Sequence, residues 1–215
     1  MLFLGPSVGL QPRFLVAVGV MTGRIDLGRV RGALAQPPPT ELERGRRAAV
    51  AVVLTRAGVS ATAPLSVLLL RRSEREGDPW SGHMALPGGH AQPEDADLLH
   101  TARRETLEEV GIDLSGAELL GRLDDVSPMR SSDMAVRPFV FWASATGELT
   151  LSNEVAEVLW VPLDELASDT LRATREVEVR GATLRVPAFV IQERVVWGMT
   201  FHLLERFLGR VLAFV

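Results

Sequence analysis

The sequence predicts a mixed fold, α/β or α+β, with helices on both sides of a sheet. Three observations carry that expectation. Short β-branched apolar runs recur along the chain and read as buried strands. Two stretches, residues 92–111 and 195–212, space their apolar residues by three and four, the pattern of helices with one buried face. Neither an internal repeat nor a linker divides the 215 residues, so one core with some decoration accounts for them.

In chain order, residues 1–40 read as an N-terminal extension and residues 41–215 as the domain. The apolar runs at 1–4 and 14–20 are short, and Pro6, Pro12 and Arg13 interrupt them. They are too short to span a bilayer. They also lack the basic start and small-residue cleavage site of a signal peptide. The first twenty or so residues are expected to be loosely attached or to arise from an upstream start choice. Residues 28–35 fit a short helix, ended by a stiff Gln36-Pro37-Pro38-Pro39 link. Residues 48–54 and 66–71 read as strands around a small-residue loop at 57–64. A charged turn region at 72–79 leads to a short strand at 84–86.

After the central helix, residues 118–123 read as a strand ending in Asp124-Asp125. Residues 126–132 form a loop. Residues 136–143 are the next strand, with Pro138 making it an edge or a bulge. Residues 155–161 are another strand, and 162–166 a short helix with Pro162 at its first position. Residues 176–180 and 182–186 flank Gly181 like a hairpin. The final helix, 195–212, places Phe201, Leu204, Leu208 and Val211 on one stripe.

Composition narrows the function. Hydrophobic residues make up 47% of the chain, enough for a core. The net charge of −4 gives no general attraction to nucleic acid or to anionic membranes, so any phosphate binding is local. There is no cysteine, which excludes disulfides, thiolate metal sites and a cysteine nucleophile and fits a cytoplasmic location.

The chain is organised around Leu86-Pro87-Gly88-Gly89 and the helix after it. Pro-Gly-Gly breaks regular structure. Gln92-Pro93-Glu94-Asp95 reads as a helix start, and Gly111 as its left-handed stop. Leu99, Ala102, Thr106 and Val110 form the buried stripe. Glu105, Glu108 and Glu109 lie beside it on one side of the helix. Three carboxylates so close repel one another, and burial would raise the pKa of at least one. A hard divalent cation, Mg²⁺ or Mn²⁺, relieves that repulsion through oxygen ligands. Without such an ion the same residues are simply a solvated acidic face.

These residues carry a resemblance. Gly89, five residues, Asp95, then Arg104-Glu105-x-x-Glu108-Glu109-x-Gly111-Ile112 resembles the Nudix box. Asp95 stands where the box has Glu, and eight residues rather than seven separate it from Arg104. Both departures are similar to the coenzyme A diphosphatase branch, on whose pattern Pro93, Asp95, Asp97, Thr101, Ala102, Arg104 and Glu105 fall. The resemblance implies the Nudix α/β/α sandwich with a mixed central sheet and a small nucleotide-type substrate. It also implies Mg²⁺ or Mn²⁺ held by Glu105, Glu108 and Glu109. Arg104 then orients a ligating Glu, or is a plain i,i+4 partner of Glu108. Glu154 matches a segment of the family that often carries a further carboxylate near the metals. It would position water or act as base, and is otherwise an exposed strand-edge charge.

Other candidates follow from residue type. Gly88 and Gly89 let the backbone approach a ligand or bend sharply. Asp95 and Asp97 are each either an outer ligand or a helix cap. Arg71 and Arg72 end a strand ahead of the site and would contact substrate phosphates, or remain solvated. His83 and His90 flank the glycine loop, whereas His100 and His202 read as surface or packing residues. The chain has no Tyr, and Trp80 is the best exposed residue for stacking on a base.

Outside the box, Leu68-Leu69-Leu70-Arg71-Arg72-Ser73, Ser81-Gly82, Leu120-Gly121-x-Leu123-Asp124-Asp125-Val126-Ser127-Pro128 and Val196-Trp197-Gly198-Met199-Thr200 resemble segments of the coenzyme A branch. The branch's usual His before the loop is here Trp80, and its Glu or Gln is His83. The implied activity is cleavage of coenzyme A to 3′,5′-ADP and 4′-phosphopantetheine. The alternatives are another nucleoside diphosphate derivative, or a Nudix-fold binding protein without turnover. A homodimer is compatible with the sequence, which does not fix the oligomeric state.

Overall fold

The computed structural model describes residues 24–36, 40–42, 45–56, 63–78, 80–128, 133–179 and 181–214. The first twenty residues, the link at 37–39 and most of the loop at 57–64 lie outside that set.

A mixed seven-stranded sheet forms the centre. Helix α1 (Leu27–Leu34) precedes it, capped by the Asp26 carboxylate, which accepts from the Arg29 N–H at 2.8 Å. Strands β1 (Arg46–Arg56) and β2 (Leu65–Arg72) follow, then the short β3 (Met84–Ala85) and β4 (Gly88–His90). Helix α2 (Leu98–Val110) connects to β5 (Glu118–Arg122), β6 (Met134–Trp142) and β7 (Val155–Pro162). The strands run β3-β2-β1-β6-β5, with β4 on β1 and β7 on β2. Only the β1–β6 pairing is parallel, as expected where α2 and β5 intervene between the two strands.

Side chains alternate across the sheet because strand residues point to opposite faces in turn. On β1, Ala48, Val50, Val52 and Leu54 face one core, and Ala49, Ala51 and Val53 face the other. The second core carries α2 through Ala102 and Val110. The first carries α1 and the last helix through Val30, Leu34, Leu204, Phe207 and Val211. The result is the sandwich expected from the sequence.

One irregularity places the glycine loop. Strands β1 and β2 pair only from Leu54 to Arg56. Beyond that they part, and β3 and β4 fill the fork. β3 pairs with β2 through Leu70↔Ala85, and β4 pairs with β1 through Val50↔Gly88. Between them the Ala51 N–H donates to the Pro87 carbonyl at 2.8 Å. The fork therefore delivers Gly88 and Gly89 against α2.

The chain ends with α3 (Leu163–Ala167), a single 3-10 turn (Asp169–Leu171), and the antiparallel strands β8 (Arg172–Val179), β9 (Ala182–Ile191) and β10 (Arg194–Trp197). The terminal helix is α4 (Gly198–Ala213). Gly181 turns the β8–β9 hairpin at φ +75°, as its sequence predicts.

Four expectations need correction. Helix α2 starts at Leu98 and not at Gln92-Asp95, which form a turn closed by Asp95 N–H on the Gln92 carbonyl at 3.1 Å. Residues 195–197 belong to β10, because Val195 and Val196 pair with Val190 and Phe189 before Gly198, at φ +63°, redirects the chain. Pro162 ends β7 and stands just before α3, not inside it. Pro138 lies in an interior strand between β1 and β5, and the bulge is on β5, between Leu119 and Gly121. Pro138 is tolerated because β5 leaves the ladder there. Leu123 donates to its carbonyl at 3.0 Å, and pairing resumes only at the Val126–Val136 bridge.

Candidate active site

The site grows from the two ends of α2. Asp97 caps the start, its carboxylate accepting from the His100 N–H at 2.7 Å. Gly111 ends the helix at φ +76° and donates to the Leu107 carbonyl at 3.0 Å. Between these fixed points Glu105, Glu108 and Glu109 emerge along one side.

Glu109 is the most buried of the three, at 6% exposure. Its carboxylate accepts from the Gly88 N–H at 2.9 Å. Burial pushes its pKa up to about 7, and the charges of Glu105 and Glu154 push the same way. The Gly88 N–H and Arg72 oppose that rise. Glu105 is also raised, again first by burial, while Arg104 pulls it down. Glu108 stands at the rim with its side chain 55% exposed.

Arg104 ties this group together. It donates through Nη1 to Glu105 at 2.8 Å and to Glu108 at 3.0 Å, and through Nη2 to the His90 carbonyl at 3.2 Å. It is held from behind by Asp95, which it meets through Nε at 2.9 Å and Nη2 at 3.0 Å. Both sequence readings of Arg104 are thus present in one side chain: it orients Glu105 and is the i,i+4 partner of Glu108.

Asp95 is neither a helix cap nor placed among the glutamates. Its side chain is 2% exposed. Besides Arg104 it accepts from Gln92 N–H at 2.9 Å, Thr101 Oγ1 at 2.8 Å and His100 Nδ1 at 2.9 Å. The Arg104 guanidinium, ahead of those other donors, holds its carboxyl far below the usual range. Asp97, by contrast, is the cap.

The two glycines have separate reasons. Gly88 sits at φ +148°, and a Cβ there would come within 2.3 Å of the Ala49 carbonyl oxygen. Gly89 has an ordinary φ, but its Cβ would meet the Glu105 carboxyl group at 2.5 Å. Only glycine lets β4 press on both β1 and the acidic helix.

Strand alternation separates the two candidate arginines. Arg72 lies on the α2 face, where its charge reaches Glu109, and it also pairs with Asp78 at 2.8 Å. Arg71 points to the other face and pairs with Glu157 at 3.3 Å, which Arg194 also holds. Arg71 is therefore turned away from the glutamates. Glu154, just ahead of β7, is close enough to raise Glu109 and forms an ion pair with Arg75 at 3.2 Å. The sequence reading missed Arg75, because nothing in a charged turn singles out one arginine.

Trp80 is 43% exposed. It stands with His83 and Trp197 in one ring cluster, and Trp197 was visible in the sequence only as part of a Trp-Gly-x-Thr resemblance.

Among the described residues no three carboxylate or imidazole groups converge tightly enough to enclose a metal ion. The three glutamates share one side of the helix, but Arg104 draws Glu105 and Glu108 to itself while Gly88 holds Glu109 apart. The donor chemistry nevertheless fits a hard divalent cation. The set is all oxygen, two of its members are partly or fully buried with raised pKa values, and a glycine strand lies against them. No helix among the described residues is long and apolar enough to cross a membrane.

Comparison with known proteins gives the family. The NUDIX domain model matches residues 45–180. An uncharacterized Nudix hydrolase, NudL, of Photorhabdus laumondii is 32% identical over 178 residues, spanning 81% of this chain and 90% of that protein. An uncharacterized protein of Schizosaccharomyces pombe is 44% identical over 109 residues, a match spanning 46% of this chain and 32% of the yeast protein. A MutT/nudix family protein from Enterococcus faecalis shares the fold at a TM-score of 0.51 and 20% identity, covering 87% of this chain and 70% of that one. From the family match over 45–180 and the NudL relative, the chain belongs to the Nudix family and is a diphosphate-cleaving Nudix hydrolase.

Proposed function

We propose that the chain hydrolyses the diphosphate linkage of coenzyme A or its derivatives, giving 3′,5′-ADP and 4′-phosphopantetheine, with Mg²⁺ or Mn²⁺ as cofactor. The observation that carries the catalytic part is the buried Glu109 fixed by the Gly88 N–H beside Glu105 and Glu108. A protein that only binds its ligand has no need of three crowded carboxylates on one helix. The coenzyme A part is supported by the resemblance of segments outside the box, including Trp197-Gly198-Met199-Thr200. That segment packs beside the loop region, Thr200 Oγ1 donating to the Met84 carbonyl at 3.3 Å.

Glu105, Glu108 and Glu109 would hold the ion. Bound there, a divalent cation neutralises phosphate oxygens and lowers the pKa of a coordinated water. Arg104, backed by Asp95, fixes the direction of Glu105 and Glu108. Arg72, whose charge reaches Glu109 on the α2 face, is the arginine set to meet the diphosphate. Gly88 and Gly89 let β4 close against β1 and Glu105, which brings the loop to the edge of the site the substrate would enter. Glu154, paired with Arg75 at 3.2 Å, takes the proton from the attacking water.

A second reading keeps the chemistry and changes the substrate to another nucleoside diphosphate derivative, such as ADP-ribose, NADH or a dinucleoside polyphosphate. Trp80 and His83 favour it, since they replace the His and the Glu or Gln of the coenzyme A branch. A panel of these compounds with Mg²⁺ or Mn²⁺, read by product identity, separates the two. Formation of 3′,5′-ADP from coenzyme A is the expected result. Turnover of ADP-ribose or NADH with none of coenzyme A overturns the coenzyme A reading, and no turnover of any member overturns both.

A further inference from the structure

We infer that Trp80, His83 and Trp197 form the site that stacks the planar base of the substrate. This rests on the reading of the substrate as a nucleotide derivative and not on coenzyme A in particular.

The three rings come from separate parts of the chain. Trp80 lies in the turn before β3, His83 at the entry to β3, and Trp197 at the end of β10. Their centroids are 5.8 Å apart for Trp80–His83, 6.2 Å for Trp80–Trp197 and 5.1 Å for His83–Trp197. The planes are inclined by 68°, 44° and 69° in the same order. Two of the contacts are T-shaped, the edge of one ring meeting the face of another, and the third is tilted, so the three rings pack as one aromatic cluster. Trp80 is the exposed member of the cluster, at 43%, and offers indole surface to a ligand.

The backbone beneath two of the rings is held in place. The Trp80 N–H donates to Asp78 at 2.9 Å, and Ser81 Oγ binds both the N–H and the carbonyl of Arg75 at 2.7 Å. Trp197 is paired with Ala188 in the β9–β10 ladder. A platform fixed in advance loses little freedom when a ring lands on it.

Its position suits a base attached to the diphosphate. The His83 carbonyl accepts from the Arg72 N–H at 3.0 Å, and Arg72 is the arginine whose charge reaches Glu109. A substrate whose diphosphate lies against Arg72 and the glutamates therefore has its next planar group within reach of the trio. Burial favours the neutral imidazole of His83, which offers one donor and one acceptor to a base edge. Every base has a π-face, so this platform accepts the adenine of coenzyme A, ADP-ribose or NADH alike.

The test uses 5′-AMP and ribose 5-phosphate as probes with the full chain. Two of its four tryptophans are in the cluster, so 5′-AMP should quench the intrinsic fluorescence and ribose 5-phosphate should not. Trp80→Ala should weaken 5′-AMP by about five- to a hundredfold, the share of one base–aromatic stack, and raise KM for an adenine-containing substrate more than it lowers kcat. Trp80→Phe should restore much of the loss. Equal binding of the two probes by the wild type, or 5′-AMP binding unchanged in Trp80→Ala, overturns the inference. So does a loss in that variant confined to 4′-phosphopantetheine, since the cluster would then take the tail. Because 5′-AMP binding needs no turnover, this outcome is read separately from a failure to cleave coenzyme A.

Discussion

Glu109 receives the Gly88 N–H at 2.9 Å, and this bond joins the glycine loop to the acidic helix. It holds a carboxylate that burial would otherwise keep neutral at a place where a cation can meet it. Burial gives the site a pH signature, which the bond only moderates. An unfolded carboxyl titrates near its ordinary 4.5, whereas Glu109 in the fold titrates at about 7. Between those values the folded chain keeps a proton that the unfolded chain has lost. Stability from this group is therefore complete below about pH 4.5 and declines as pH rises to about 7. The shift corresponds to on the order of 3 kcal/mol at most. Denaturant midpoints in the presence of a chelator should fall across that window in the wild type, and Glu109→Gln should flatten the fall. Because a divalent cation binds the ionised form, Mn²⁺ affinity should rise with pH through the same range.

Glu108→Gln should behave differently. Glu108 is exposed and, among the described residues, is held by Arg104 alone, so its loss should leave the thermal midpoint nearly unchanged. Removing a metal-binding charge should still reduce kcat by orders of magnitude. Unchanged turnover in a folded Glu108→Gln enzyme would remove this residue from the site.

Asp95→Asn tests the support behind the glutamates. Asp95 is buried, and two of its hydrogen bonds come from Arg104. Breaking such a pair typically costs about 3–5 kcal/mol. The lower end is expected here, because Arg104 keeps Glu105 and Glu108. Since the Asp95 pKa is depressed in the fold, its contribution is present above the unfolded value and is lost as pH falls. Acid unfolding of the wild type should therefore be steeper than that of Asp95→Asn. Equal slopes would contradict the assignment.

The two glycines should separate by phenotype. Gly88→Ala meets β1 backbone and a positive φ, so it should destabilise the fold, by about 1–3 kcal/mol from the backbone conformation alone. Gly89→Ala meets the movable Glu105 carboxylate. It should lower Mn²⁺ affinity and kcat more than it lowers the thermal midpoint. Calorimetry beside metal titration distinguishes the two.

Much of this was legible in residues 86–111. Pro87-Gly88-Gly89, the Glu105/Glu108/Glu109 spacing and Gly111 each follow from local rules, and β1, β2, β6 and β7 declared themselves by apolar runs, whereas β4 lies in what reads as a loop. What escaped the sequence depends on contacts between distant segments. Asp95 looked like a helix start because acidic residues and Pro93 stand beside it, yet its partner is Arg104, nearly two turns into the helix. Arg71 and Arg72 are adjacent in sequence, and only the strand's alternation against β7 and α2 sends them to opposite faces. Val195–Trp197 continues a helical spacing, but Phe189 and Val190 were already waiting as ladder partners. The meeting of Trp80 with Trp197 joins residues more than a hundred positions apart, which no local pattern encodes.

The central claim is that the acidic side of α2 holds a divalent cation against a substrate diphosphate. Anomalous diffraction from a crystal soaked in manganese measures this most directly. The account predicts a manganese peak bonded to carboxylate oxygens of Glu105, Glu108 and Glu109 beside Gly88, with Arg104 turned to make room. No peak there, in a crystal of protein that turns over its substrate with manganese, would contradict it.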